Sequence, residues 1–195
     1  ADALPTQMAS VRALVVAVNA RDSSTAQRSR QVVTLARGVA RRLGLDAVAV
    51  TEVEQVAHLH DLGKIAVPDA ILRKPDRLTQ HEHTLMRQHP VVGAQILASM
   101  PELEHLAPAV RAEHERWDGR GYPDGLSGEQ IPIASRITLV CDAYRAMTSD
   151  RPYRRALSPE QARAQIREQA GMQFCPHSAS VLLDVLSEQR ETAAA

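Results

Sequence analysis

The chain has 195 residues, enough for one domain with a substantial hydrophobic core. Its 23 basic and 23 acidic residues balance to a net charge of zero, which gives no support for a protein that binds DNA, RNA or an anionic membrane surface. No apolar run reaches the length of a membrane span, and the two cysteines, Cys141 and Cys175, lack metal-type spacing. We interpret them as buried free thiols and expect a protein of the reducing cytoplasm.

The hydrophobic pattern predicts helices along the whole chain, and no segment alternates like a β-strand. The first three helices are expected over residues 4–19, 26–43 and 46–62. The second of these has an inward stripe with the spacing of one helical face, formed by Val32, Leu35, Ala36, Val39 and Leu43. Extending that stripe by one turn toward the N-terminus reaches Arg28.

The middle of the chain contains clear helix-start and loop signals. A Thr-x-x-Glu capping box at 79–82 predicts the start of a fourth helix. The His-Pro pair at 89–90 ends that helix and starts a fifth, because a residue before proline avoids helical angles. A further helix is expected over 105–115. Residues 118–132 are dense in glycine and proline and predict an irregular loop.

The last third of the chain predicts a central helix and two peripheral ones. Residues 133–149 are apolar nearly all round, the Ser-Pro-Glu sequence at 158–160 caps another helix, and an amphipathic stretch covers 177–188. The fold class is therefore all-α, in a single domain over 1–195 with its core at roughly 20–187. The abrupt start, ADALPTQ, leads us to expect a piece of a longer signalling protein.

His60 and Asp61 are adjacent near the end of the third predicted helix, and Lys64 follows one turn later. Adjacent helical residues point about 100° apart, so both side chains can reach one ion beside the helix. Histidine and aspartate suit Fe, Mn, Zn or Ni rather than Ca, and a nearby lysine can hold an anionic substrate. For the bare pair, a structural histidine beside an exposed aspartate is the simpler interpretation.

Other polar residues strengthen the metal interpretation. Asp142 lies in the most apolar helix, where an unpaired carboxylate is costly and predicts a metal or a buried cation as its partner. His114 is expected on the inward side of its helix with Glu113 beside it. His89 stands at a helix break, from which it can project into a cleft. Each histidine alone is more often structural.

The segment SDRPYRR at 149–155 predicts phosphate binding. It offers Arg151 and Arg154 just after the Asp142 helix, and arginine forks match phosphate oxygens bidentately. A solvated basic helix end is the alternative interpretation.

Four ordered segments closely resemble the HD-GYP family of bacterial signalling phosphodiesterases: HLHDLGKIAVPDAILRKPDRLT, MRQHPVVGAQIL, HERWDGRGYPDGLSGEQIP and ASRITLVCDAYRAMTSDRPYR. The resemblance covers roughly residues 20 to 187. It implies an HD-superfamily helical bundle with an irregular signature loop at Gly121, Tyr122 and Pro123. It also implies a centre of two or three metal ions, often iron or manganese, that cleaves cyclic di-GMP to linear pGpG or GMP.

The resemblance also assigns roles position by position. It implies the metal ligands His60, Asp61, His89, His114 and Asp142. Asp61, as a bridging carboxylate, and Lys64 are the catalytic candidates. The substrate-binding residues would be Lys64, Tyr122, Arg151 and Arg154, with Tyr122 near a guanine or its ribose.

Three positions depart from the family pattern. Arg28 stands in RSRQV, where the family has a histidine ligand, Glu113 replaces the first of two paired histidines, and Arg145 replaces an aspartate. Guanidinium has no lone pair for a metal, and at 4 Å it is repelled by a divalent ion with roughly 8 kcal/mol at an effective dielectric of 20. We expect Arg28 to replace one metal and to bridge Asp61 or Asp142, whereas Glu113 can ligate a metal or pair with Arg28.

Two functions remain open at this point. The first is a cyclic di-GMP phosphodiesterase with a rearranged metal centre. In this centre one ion would be retained by Asp61, His89, Glu113 and His114. The ion would be Fe or Mn, with Zn or Ni as alternatives. The second is a catalytically inactive domain, with one ion or none, that binds cyclic di-GMP, or a partner such as a diguanylate cyclase domain, without hydrolysis. A purely structural dimerisation module is the third interpretation, and a homodimer is compatible with the sequence.

Overall fold

The computed structural model describes Ala13, Val16, residues 23–150 and residues 155–194, with side chains described at 13, 16, 30–150 and 155–188. These residues form helices and turns, and the described ranges contain no strand, only an isolated β-bridge between Ala170 and Phe174. The all-α prediction is confirmed. Among the helices described, none combines the length and the apolar character that a membrane crossing requires. The helix predicted over 4–19 lies outside the described residues, apart from Ala13 and Val16.

The described α-helices are numbered here in chain order. They are α1 (Ser23–Arg42), α2 (Ala47–Leu59), α3 (Asp69–Leu72), α4 (Gln80–Met86), α5 (His89–Ala98), α6 (Ala107–Arg111), α7 (Ile133–Met147), α8 (Pro159–Gln169) and α9 (Pro176–Ala194). Short 3₁₀ turns occur at Leu62–Ala66, Glu104–Leu106 and Gly128–Gln130.

Helix α7 occupies the centre of the bundle and packs against α1, α2, α6, α8 and α9. Its side chains Ile137 and Val140 have no exposed surface. The stripe predicted on α1 packs into the same core, because Val32, Ala36 and Val39 are also fully buried. Both cysteines are buried free thiols, as the sequence predicts.

Two helices end earlier than the sequence predicts. Helix α2 stops at Leu59, and the chain continues through His60 and Asp61 into the 3₁₀ turn Leu62–Ala66. Helix α6 stops at Arg111, so the prediction of a helix to residue 115 is wrong. Residues 112–114 form turns, and the buried Glu115 carboxylate that follows accepts hydrogen bonds from backbone N–H groups of the next loop.

The 3₁₀ turn Leu62–Ala66 packs directly against α5. Gly63 makes this contact possible, since a Cβ atom at this position would lie 1.8 Å from the carbonyl oxygen of His89 and 2.6 Å from the amide nitrogen of Gly93. The close approach brings the end of α2 to the first turn of α5 and thereby places Asp61 beside His89.

Candidate metal centre

Three ligand-type side chains converge at the start of α5 and in the turn after α6. His89 Nε2 lies 2.8 Å from Glu113 Oε1 and 3.2 Å from His114 Nε2, and His114 Nε2 lies 3.8 Å from Glu113 Oε1. The three ligand atoms all lie within 4.8 Å of one another. We call His89, Glu113 and His114 the buried cluster. His114 thus reaches the cluster from a turn and not from a helical face, which corrects the sequence prediction.

The backbone fixes which nitrogen of the two principal histidines is free. His89 Nδ1 lies 2.7 Å from the carbonyl oxygen of Met86, and His60 Nδ1 lies 2.9 Å from that of Ala57. Because a carbonyl only accepts, each Nδ1 carries the proton and donates it, and the Nε2 lone pair is left for another partner. Metal-binding histidines are held in the same way.

Glu113 is the most informative member of the cluster. Its side chain is 1% exposed, and although His89 Nε2 is 2.8 Å away, neither carboxylate oxygen has a partner in hydrogen-bond geometry among the described residues. A buried carboxylate without such a partner is costly. Burial accordingly raises the pKa of Glu113. A cation held between Glu113, His89 and His114 would satisfy both oxygens, so the residues present fit a metal ion.

His114 is kept neutral by its surroundings. Burial, followed by the charge that His89 would carry if its second nitrogen were protonated, lowers the pKa of His114 to about 3. A neutral imidazole is the form that can ligate a metal. The ring also stacks on Tyr122, with ring centroids 5.0 Å apart and an interplanar angle of 22°. Arg87, which the sequence analysis missed, lies 4.8 Å from the centroid of the Tyr122 ring.

Asp61 lies between the end of α2 and the buried cluster. Its Oδ1 atom is 2.6 Å from Lys64 Nζ and 4.0 Å from His89 Nε2, and its Oδ2 atom is 3.6 Å from His60 Nε2. Burial opposes ionisation, but Lys64 and the two histidines outweigh it and hold the pKa of Asp61 far below its usual range. Asp61 is therefore a carboxylate placed between His60 and His89, where the sequence predicts a bridging ligand.

The signature loop is held by Glu115, which the sequence analysis did not identify, and by the close packing of Gly121. Glu115, 1% exposed, accepts hydrogen bonds at Oε1 from the backbone N–H groups of Asp124, at 2.6 Å, and of Gly125, at 2.9 Å. Gly121 lets the loop fold back on this segment, because a Cβ atom there would lie 2.4 Å from the amide nitrogen of Arg116. These contacts place Tyr122 against His114.

Asp142 lies on α7 and is half-buried. It lines a cavity of about 370 Å³ together with His114. Its charge also acts on His60 and Lys64, where it favours the protonated forms. Asp142 thus borders an open space next to His114, and the metal or cation expected as its partner stays a prediction.

The side chains of three predicted arginines are outside the described part of the chain. The side chain of Arg28 on α1 is not among the described ones, and neither Arg151 nor Arg154 is a described residue. The metal replacement by Arg28 and the phosphate contacts thus stay predictions. Arg145 donates a hydrogen bond to Gln31, which links α7 to α1 one turn from Arg28.

Proteins of related sequence match most of this chain. The chain is 40% identical over 172 residues to the cyclic di-GMP phosphodiesterase response regulator RpfG of Xanthomonas campestris, covering 87% of this chain and 46% of that protein. It is 36% identical to the 3'3'-cGAMP-specific phosphodiesterase 2 of Vibrio cholerae over 88% of this chain and 33% of that protein. The chain thus spans less than half the length of both relatives.

The fold is also found among solved structures. A cyclic GMP-AMP specific phosphodiesterase of Vibrio cholerae, V-cGAP3, superposes with a TM-score of 0.70 at 16% identity, over 91% of this chain and 48% of that one. At this identity the likeness concerns the fold alone. The family model described as "HD domain" matches residues 12–177. The chain therefore belongs to the HD domain family, as its resemblance to HD-GYP domains predicts.

Proposed function

We propose that this chain hydrolyses a phosphodiester bond of a cyclic dinucleotide, cyclic di-GMP, to linear pGpG or GMP with the help of a divalent metal ion. The observation that carries the proposal is the buried cluster, whose three ligand atoms lie within 4.8 Å of one another around a carboxylate without a hydrogen-bond partner in the described residues. The names of the relatives support the substrate class.

The metal would be held by His89, Glu113 and His114, with Asp61 next to them. Such an ion supplies Lewis acidity at a phosphoryl oxygen and lowers the pKa of a bound water molecule. The mixed nitrogen and oxygen donors favour Fe or Mn, with Zn or Ni as alternatives. In this arrangement Glu113 keeps the ligand role of the histidine that it replaces, and its charge offsets that of the ion.

Among the protein side chains, we assign catalytic roles to Asp61 and Lys64. Asp61 stays ionised beside Lys64 and can accept a hydrogen bond from the attacking water. The Lys64 side chain is 27% exposed, so its ammonium group has donors left for a phosphate oxygen. The stacking of Tyr122 on His114 supports its role as a contact for a nucleoside attached to that phosphate.

A second candidate function is binding of cyclic di-GMP, or of a diguanylate cyclase domain, without hydrolysis. The sequence feature that favours it is Arg28 at a family histidine position. A guanidinium group directed toward His60, Asp61 and Asp142 would occupy the place of one metal ion and hold the two carboxylates by charge-assisted hydrogen bonds. One ion in the buried cluster, or none, would then remain.

Metal analysis combined with turnover separates the two candidates. After anaerobic loading with Fe²⁺ or Mn²⁺, we expect about one ion per chain and conversion of cyclic di-GMP to pGpG. Glu113→Gln should lose both the bound ion and the conversion of cyclic di-GMP, because a neutral amide binds these ions more weakly than a carboxylate. Glu104→Gln, at an exposed carboxylate of a 3₁₀ turn, should keep both. A metal-loaded protein that binds cyclic di-GMP without cleaving it would establish the second candidate.

The Arg28 hypothesis has its own test. The double variant Arg28→His with Glu113→His restores the family pattern at both positions and should bind a further ion and turn over faster. A wild-type structure with a fully occupied metal between His60 and Asp142 would refute the replacement. Restored metal without a gain in turnover would assign the loss to Arg145 or to a different substrate.

A further inference from the structure

The cavity beside Asp142 has a lining that the phosphodiester chemistry does not use. It lies between α7 and α8, measures about 370 Å³, and meets the metal centre at His114 and Asp142. The rest of its lining comprises apolar side chains of α7, Phe174 and three glutamines, Gln165, Gln169 and Gln173. This volume lies within the range of small-molecule sites, roughly 300–1,000 Å³.

The three glutamines are positioned by the fold. Gln165 and Gln169 are four residues apart on α8 and therefore share one face. Gln173 follows in the next turn, where its carbonyl oxygen accepts a hydrogen bond of 3.2 Å from the Trp117 N–H group of the segment leading into the signature loop. The carboxamide side of the cavity is thus fixed relative to Tyr122.

The carboxamides have spare hydrogen-bonding capacity. Gln169 and Gln173 are half-buried and Gln165 is exposed at the rim. In the part of the chain with described side chains, none of the three forms a side-chain hydrogen bond, and the residues that line the cavity include no lysine or arginine. The cavity is therefore unsuited to a second phosphate and suited to a neutral polar group with an apolar face.

A purine base has that chemistry. A carboxamide presents a donor and an acceptor side by side and can pair with two atoms on the edge of a purine, while apolar walls cover the ring faces. A phosphodiester placed at His114 and Asp142 would have an attached nucleoside within reach of this space.

We propose that the cavity between α7 and α8 is the subsite for one nucleobase of the substrate, and that Gln169 and Gln173 read the hydrogen-bonding edge of the base. This inference rests on the proposed function, since the phosphodiester brings the base to the cavity. It assigns selectivity among cyclic dinucleotides to residues outside the HD-GYP motifs.

The decisive experiment compares a substrate with bases and one without. Gln169→Leu and Gln173→Leu should each lower kcat/KM for cyclic di-GMP by about tenfold or more, as expected for the loss of one bidentate base contact. Hydrolysis of bis(p-nitrophenyl) phosphate, which carries no base, should be unchanged in the same variants. Gln95→Leu, an exposed carboxamide on α5, is the matched control and should change neither rate.

A size-preserving variant provides a second readout. Gln169→Glu replaces the carboxamide by a group that only accepts, which can pair with the N1–H and N2–H donors of guanine but not with N1 of adenine. The ratio of kcat/KM for cyclic di-GMP to that for cyclic di-AMP should rise, because repulsion from the phosphates affects both substrates equally. An unchanged or falling ratio would count against base reading by Gln169.

Different experimental results would reject this subsite and the proposed phosphodiesterase function. If both leucine variants keep full activity on cyclic di-GMP, or lose activity equally on the substrate without bases, the subsite is wrong while the phosphodiesterase stands. If the wild type hydrolyses neither substrate, calorimetric titration with cyclic di-GMP decides. Weaker binding by the leucine variants supports the subsite, and equal binding, or no binding by the wild type, overturns it.

Discussion

The geometry of the metal centre depends on the absence of a side chain at Gly63. We expect Gly63→Ala to push the 3₁₀ turn Leu62–Ala66 away from α5, because its Cβ atom would overlap the backbone of His89. Overpacking of this kind costs about 2 kcal/mol of unfolding free energy. Asp61 would also move away from His89, so the metal content should fall. Urea unfolding and metal analysis measure the two effects.

Gly38→Ala is the matched control for this change. Gly38 lies within α1, and a Cβ atom there would lie 3.3 Å from a methyl group of Val185, a side chain that can adjust. Alanine is also a better helix former than glycine, by about 1 kcal/mol. The control should keep its stability and its metal content. An unfolding free energy of Gly63→Ala equal to that of the wild type would contradict the proposed role of the contact.

The sequence identifies the ligand candidates better than their arrangement. His89, Glu113 and His114 are recognisable from residue type and from the HD-GYP motifs, and the structure brings them within 4.8 Å of one another. The need for Gly63 cannot be read from its own segment, because it arises where the backbone of α5 approaches from another part of the chain. Arg87 was missed for the same reason, since its partner Tyr122 lies in a distant loop.

At the scale of single elements, local patterns predict where helices start more reliably than where they end. The capping box that opens α4 is present as predicted, with Glu82 N–H donating to Thr79 Oγ1 and Thr79 N–H donating to the Glu82 carboxylate. The end of α6 was predicted four residues too late. The segment after it is held instead by tertiary contacts, such as the hydrogen bonds from the signature loop to Glu115, which join residues that are not neighbours in sequence.

The α4 capping box makes a pH-dependent contribution to stability. Lys74, followed by the Thr79 N–H group, lowers the pKa of Glu82 to about 2, from an ordinary value of 4.5. Because the pKa is lower in the folded state, the contribution is complete above pH 4.5 and is lost as the pH falls through 2. Glu82→Gln should therefore lower Tm at neutral pH, and the difference from the wild type should close in acid.

Calorimetry between pH 7 and pH 2 provides the test of that linkage. Glu104→Gln serves as the control, because it removes an exposed carboxylate outside the capping box. Thr79→Ala removes the other half of the box and should cost about 1 kcal/mol. A Glu82→Gln difference that is constant across the pH range would show that the Glu82 charge is not the stabilising feature.

At the scale of the whole molecule, the candidate metal ligands are brought together only by tertiary packing. Its candidate ligands come from the end of α2, the start of α5 and the turn after α6, and the contacts of α5 with the 3₁₀ turn and with α6 bring them together. The periodicity of the sequence predicts the helices and a common core, but it contains no information on these interhelical distances. The HD-GYP resemblance supplies the grouping that the local patterns lack.

Because the unfolded chain lacks this grouping, a metal that binds the buried cluster must stabilise the fold. At a free Mn²⁺ concentration of 100 times Kd, the expected gain is about 2.7 kcal/mol. Differential scanning fluorimetry with Mn²⁺ and with a chelator should therefore show a rise in Tm for the wild type. Glu113→Gln should show no rise, even though removal of its buried charge can make the metal-free protein more stable. Ca²⁺, which prefers six to eight oxygen ligands, is the control ion, and an equal shift with Ca²⁺ or in Glu113→Gln would place the metal elsewhere.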